Sequence, residues 1–265
     1  MKLLVDLGNS RLKWARCAND AWNAGATIVH RRDTAVCAQW WDAIERPESV
    51  WIASVAEVAF TDALRAWCVH RWQTEVHIVS AEAQAHGVRN LYDAPATLGA
   101  DRWCALIAAR QSAKTACVIV DAGSALTIDA LAYDAPSGDG TFLGGVILPG
   151  LDMMRAALGE GTGLIRDTTG RDDDVLARVT ASGVAAGTLF GLAGAVDAVV
   201  AAQRKQIGAS APVLLCGGDG ATLLPRLRAT PITLIPDLVL RGLAIIAGCA
   251  PPAAVQTQAP GNRVP

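Results

Sequence analysis

Two short stretches of this chain are built alike. KLLVDLGNS, residues 2–10, carries Leu3, Leu4, Val5 and Leu7 around one carboxylate, Asp6, and then turns on Gly8, Asn9 and Ser10. VIVDAGSAL, residues 118–126, repeats the form with Asp121, Gly123 and Ser124. A carboxylate that closes a buried apolar run needs a partner. A glycine two places later frees the backbone, so that N–H groups can approach an anion. The two D-x-G corners predict related halves, each opening with a strand hairpin, whose turns hold phosphates while the acids hold the accompanying cation. Either corner alone reads first as a plain β-turn, for which Asp, Gly, Asn and Ser are standard; it is the pairing that favours the phosphate reading.

The length, 265 residues, suits two domains of roughly 100–150 residues each. We expect boundaries of 1–115 and 116–250, with a Pro-rich, disordered tail over 251–265. Net charge is −2 with no basic stripe, which argues against a nucleic-acid partner. Seven scattered cysteines without a C-x-x-C argue for reduced thiols in a cytoplasmic protein rather than a disulfide framework or zinc site. The opening residues lack the form of a secretion signal. Residues 182–202 are apolar enough to suggest a membrane span, but Gly and Ala dominate them and Asp197 interrupts them. A closely packed interior or interface helix is the better expectation, with no membrane partner.

Residues 12–17 are expected to pair back on the first strand, and residues 117–132 to form a second hairpin. Helices are expected over 101–113 and 237–248. GGVILPG, residues 144–150, reads as a short strand with glycines at both ends; alone it is a turn motif, and near a nucleotide it could let a purine lie flat against the backbone. NLYDAPATLGADRWCAL, residues 90–106, places Asp101 and Arg102 at the mouth of a helix. An acid there caps exposed N–H groups, and a lowered pKa is the ordinary expectation. The functional reading has Asp101 accept a hydroxyl proton while Arg102 pairs with a carboxylate. Tyr92 fits either a core or a ligand contact, and Thr180 has the look of a helix N-cap. Neither G-x-x-x-x-G-K-[ST] nor G-x-G-x-x-G is present.

DLGNSRLKW, LYDAPATLGADRW, DAGSALTIDA and GGVILPG, in this order, resemble the type III pantothenate kinase family, also described as Bvg accessory factor-like. The resemblance runs from Met1 to about Gly248. It implies an α/β fold of two ribonuclease-H-like domains of the acetate and sugar kinase/Hsp70/actin superfamily, facing across a cleft. It implies ATP-dependent phosphorylation of pantothenate, the first step of coenzyme A synthesis, by a cytoplasmic homodimer. The first phosphate motif falls on Asp6, Gly8, Asn9 and Ser10 and continues through Arg11, Leu12 and Lys13. The second falls on Asp121, Gly123, Ser124 and Thr127. The pantothenate motif falls on Gly99, Ala100, Asp101 and Arg102, with Asp101 as the base, and Tyr92 and Thr180 resemble further substrate contacts. The adenosine motif falls on Gly144, Gly145, Pro149 and Gly150. Mg²⁺ held by Asp6, mostly through water, and a monovalent cation (K⁺ or NH₄⁺) on Asp121 are implied as well. The alternatives are a kinase of the same fold acting on a sugar or another small anionic acceptor, and a nucleotide-binding regulator without catalysis.

Overall fold

The computed structural model describes residues 1–18, 21–165, 167–250 and 257–258. In chain order the elements are β1 (Lys2–Leu7), β2 (Arg11–Ala18), β3 (Ala21–Val29), α1 (Thr34–Trp41), β4 (Ser49–Ser54), α2 (Val58–Trp72), β5 (Glu75–Val79), β6 (Gln84–Ala85), β7 (Val88–Asn90) and α3 (Ala100–Ala113). There follow β8 (Cys117–Ala122), β9 (Ala125–Asp134), β10 (Asp139–Pro149), α4 (Leu151–Gly161), α5 (Thr180–Ile207), β11 (Val213–Cys216), α6 (Gly220–Leu223), β12 (Ile232–Leu234), α7 (Leu238–Ile246) and β13 (Thr257–Gln258). The chain forms two compact units. One takes in Met1–Lys114, Tyr133–Leu143 and the segment from Asp237; the other takes in Thr115–Ala132 and Gly144–Pro236. Apart from 257–258, the tail expected to be disordered lies outside the described residues.

The first unit is built on a five-stranded sheet in the order β3-β2-β1-β4-β5. β1, β2 and β3 form an antiparallel meander, while β4 and β5 run parallel to β1. Helices cover both faces, so the central strands are apolar on both sides. On one face Leu3, Val5, Leu7 and Ile52 pack against Trp41 of α1 and Phe60, Leu64 and Trp72 of α2. Three tryptophans, Trp41, Trp67 and Trp72, meet there at ring separations of 5.2–6.0 Å, the tilted and edge-on geometries that aromatic rings favour. On the other face α7 packs on β1, and α3 on β4. α3 and α7 touch backbone to backbone where Gly242 meets Cys104.

The second unit repeats the plan. The second sheet has the order β13-β12-β11-β8-β9-β10-β7-β6, within which β10-β9-β8-β11-β12 follows the strand sequence of the first sheet. β8 pairs antiparallel with β9 and parallel with β11, and β11 is parallel to β12. Val118, Val120, Leu126 and Ile128 pack against Leu189, Leu192, Val196 and Val200 of α5. α5 has the length and composition of a membrane span, yet half of its most apolar stretch is buried inside the protein, which accounts for its hydropathy by packing. Thr180 is the first residue of this helix, and Val179 holds the N-cap position without a side-chain hydrogen bond, so Thr180 does not cap.

Six of the seven cysteines are buried and Cys249 is partly exposed. Burial pushes the Cys37 thiol to about 11, and those of Cys68 and Cys117 to about 12. A thiol reagent needs the thiolate. A brief alkylation at mildly alkaline pH is therefore expected to modify Cys249 alone, read by peptide mass spectrometry. Rapid labelling of Cys37 or Cys68 in the folded protein would contradict this packing.

Candidate active site

In the first unit, the β1–β2 register sets Asp6 opposite Lys13 and Leu7 opposite Leu12. Lys13, the last residue of the expected phosphate motif, thus lies beside Asp6 on the ladder. The Gly8 N–H donates to the Arg11 carbonyl at 3.0 Å and closes the corner. Asn9, Ser10 and Arg11 are exposed, while Leu12 is wholly buried, leaving Leu12 only its backbone to offer a ligand. Behind the corner stands His30, 3.0 Å from the Gly8 carbonyl oxygen.

Asp101 opens α3, with Gly99 at the N-cap. Its Oδ1 accepts the Arg102 N–H at 2.7 Å. A Cβ on Gly99 would stand 2.6 Å from that same oxygen, so glycine here makes room for the carboxylate. The structure reverses the expected direction of the Asp101 pKa. Burial pushes it up, and the hydrogen bond and charge of Arg102 only partly oppose this. Ala100 beside it is buried. One turn on, the Cys104 thiol is raised well above its ordinary value by burial and then by the carboxylates of Asp6 and Asp101. These two acids, far apart in sequence, are therefore both within electrostatic reach of one thiol.

Arg102 is only 5% exposed. Its Nη1 donates to the Tyr92 hydroxyl at 2.7 Å, and the guanidinium lies 5.5 Å from the Tyr92 ring centre and 5.6 Å from that of Phe142. Two aromatic faces stabilise a cation that burial would otherwise penalise. Tyr92 is held by its own N–H, which donates to Asn90 Oδ1 at 3.0 Å; the Asn90 amide in turn donates to the Pro95 carbonyl at 3.2 Å. Phe142 is fully buried on β10, where it pairs in register with Asn90.

In the second unit, Asp121 faces Thr127 across the β8–β9 ladder and Cys216 across β8–β11. Gly123 N–H donates to the Ala125 carbonyl at 3.1 Å, and Gly150 N–H to the Ser124 carbonyl at 3.1 Å. The Asp219 N–H reaches the Ala122 carbonyl at 2.9 Å. Three turns thus converge on Asp121. Two glycines permit it: a Cβ on Gly150 would lie 2.7 Å from the Ser124 carbonyl oxygen, and one on Gly217, at φ +87°, would lie 2.5 Å from Asp121 Oδ1. Thr127 Oγ1 is buried and has no hydrogen-bond partner among the described residues. Gly144 and Gly145 lie inside β10, Gly144 at φ +130°, while exposed Pro149 ends that strand and Gly150 follows it. Four strand residues separate Gly145 from Gly150, five steps or about 17 Å of extended chain, so the expected short strand bounded by glycines is the end of a longer one. Thr180 is exposed at the start of α5.

Sequence reasoning missed Phe142, His30 and Gly217. Only Gly217 left a trace, in the glycine pair that follows the buried strand β11.

The family model for type III pantothenate kinase matches residues 2–202. The chain belongs to the type III pantothenate kinase family. A protein of that name from Nitrosococcus oceani is 37% identical over 259 residues, covering 93% of this chain and 94% of its own. One from Chromobacterium violaceum is 36% identical over 252 residues, covering 93% and 99%. Among solved structures, a Campylobacter jejuni protein described as a Baf family transcriptional activator superposes with a TM-score of 0.57 at 19% identity, covering 93% of this chain and 97% of its own. A Sinorhizobium meliloti protein described as a 2-dehydro-3-deoxygalactonokinase gives 0.53 at 15%, covering 93% and 98%. These two likenesses bear on the fold, which is that of the acetate and sugar kinase/Hsp70/actin superfamily.

Proposed function

We propose that this protein transfers the γ-phosphoryl group of ATP to the primary hydroxyl of pantothenate, giving 4′-phosphopantothenate and ADP, the first step of coenzyme A synthesis. The observation that carries this reading is the half-buried carboxyl of Asp101 next to the aromatic-flanked guanidinium of Arg102, in a chain of this family. Arg102 and Tyr92 hold the pantothenate carboxylate end, with Gly99, Ala100 and Thr180 as further contacts. Asp101 orients the hydroxyl and takes its proton as the phosphoryl group moves. Phosphoryl transfer has a loose transition state, so alignment and charge neutralisation outweigh covalent help. Asp6, the Gly8–Lys13 segment and the Gly123–Thr127 segment serve the triphosphate. Gly144, Gly145, Pro149 and Gly150 serve the adenosine.

The residues suit the two cations assigned to this chemistry. Asp6 would hold Mg²⁺ mostly through water, since Mg²⁺ keeps several waters and takes ligands from phosphates. The hydroxyl of Thr127, without a hydrogen-bond partner among the described residues and on the rung opposite Asp121, would add an oxygen donor suited to a monovalent cation. Bound cations would neutralise phosphate charge. We further propose a cytoplasmic homodimer of two-domain subunits. The exposed small-residue row Gly183, Gly187, Gly191 and Gly194 on α5 and the exposed Leu176 and Val179 before it support the dimer.

Incubation with ATP, Mg²⁺, K⁺ and labelled pantothenate tests the activity. Labelled phosphopantothenate is the expected product. Transfer to a sugar or acetate instead would change the acceptor, and ATP binding without transfer would leave a regulator. Arg102→Ala is expected to raise the KM for pantothenate by about tenfold or more, the worth of a charged hydrogen bond, with the KM for ATP unmoved. Equal loss for both ligands would remove the carboxylate contact.

A further inference from the structure

We propose that His30 is a positioning residue that aims the Asn9 N–H at a phosphate oxygen of ATP. This rests on the reading of the first corner as a phosphate turn.

His30 directly follows β3, fully buried, with its ring stacked on Phe60 at 4.7 Å and 27°. Its Nδ1 lies 3.0 Å from the Arg32 N–H. A nitrogen that accepts a hydrogen bond carries no proton, so the proton of the neutral ring sits on Nε2. Nε2 faces the Gly8 carbonyl at 3.0 Å and donates to it. Gly8 spends its own N–H on Arg11. In a trans peptide the carbonyl and the following N–H point in opposite directions. By holding the Gly8 oxygen toward the buried ring, His30 turns the Asn9 N–H the other way, to the side where Asn9, Ser10 and Arg11 are exposed. A glycine-containing corner is otherwise free to rotate this peptide plane. The ring removes that freedom before any ligand arrives, and preorganised N–H groups are what make a turn an anion site. Phe60 and the Arg32 N–H fix the ring, so the direction of one backbone dipole is set from three chain segments.

Two substitutions separate this role from mere packing. His30→Asn keeps an acceptor for the Arg32 N–H but is too short to reach Gly8. His30→Gln places an amide donor near the position of Nε2. His30→Asn is expected to weaken ATP binding about tenfold by calorimetry and to raise the ATP KM to match, with the pantothenate KM unchanged. His30→Gln is expected to regain most of the loss. In the wild-type protein, ¹⁵N–¹H spectra of the imidazole should show the Nε2–H tautomer. Wild-type ATP affinity in His30→Asn, equal weakening of both substrates, or an Nδ1–H tautomer would each overturn the assignment. Should His30→Asn fail to fold, His30→Gln and the wild-type tautomer decide. A wild-type protein that binds ATP but makes no phosphopantothenate would sink the proposed reaction and leave the ATP titrations to judge His30. One that binds no ATP would sink both.

Discussion

Asp101→Asn is expected to lower kcat for pantothenate phosphorylation about a hundredfold or more and, at neutral pH, to raise the melting temperature. Both effects come from one cause. Burial pushes the Asp101 carboxyl above its ordinary value of 3.8. Between that value and the raised one, the folded protein holds a proton that the unfolded chain has released. Stability therefore falls as pH rises through this window, and at neutral pH the ionised carboxylate is a cost to the fold. An amide of the same shape removes that cost, and its oxygen can still accept the Arg102 N–H. In the proposed reaction the same ionised form takes the substrate proton, so wild-type kcat/KM should decline on the acid side at a pH above the usual aspartate range. Thermal melts of both proteins from pH 4 to 8 and a pH–rate profile check this. Unchanged turnover would remove the base role, and a melting difference that does not grow with pH would remove the burial argument.

Gly242→Ala is expected to cost about 3 kcal/mol, at the upper end of overpacking penalties, and about 10 °C in melting temperature for a chain of this size. A methyl group at Gly242 would sit 2.8 Å from the Cys104 Cα and closer still to its carbonyl. Both neighbours are helix backbone, which no rotamer change can move aside. The two helices must part, and α3 carries Asp101 and Arg102 one turn before the contact. Displacing a reacting group by about 1 Å can cost a hundredfold in rate, so kcat should fall along with stability. Differential scanning calorimetry and steady-state kinetics read the two effects. A variant that melts within about 2 °C of wild type would show that α7 does not press on α3.

The two D-x-G corners were legible because each joins an apolar run, a carboxylate and turn residues within ten positions. Asp101 and Arg102 were legible for a similar reason, at the glycine-led start of a helix. What stayed hidden depends on distant segments. Phe142 looks like any alternate residue of a strand, and its place beside Arg102 follows from the pairing of β10 with β7, 52 positions earlier in register with Asn90. His30 lies 22 residues from the carbonyl it holds. The direction of the Asp101 shift was misjudged because helix-start electrostatics can be read locally, whereas burial is a property of the finished fold. Thr180 carried the composition of a cap, but the helix begins with it rather than after it.

The ladder partners of the two acids give the repeated halves unlike electrostatics. On the first hairpin the rung is Asp6–Lys13, an acid answered by a base, with side-chain charge near zero. On the second it is Asp121–Thr127, an acid answered by a hydroxyl. A duplicated scaffold whose copies differ by one cationic side chain acquires a direction. Under the proposed reading, an incoming polyanion would meet a cationic side chain on one rung and a hydroxyl on the other, so catalytic rate is expected to follow the identity and concentration of the salt in the medium.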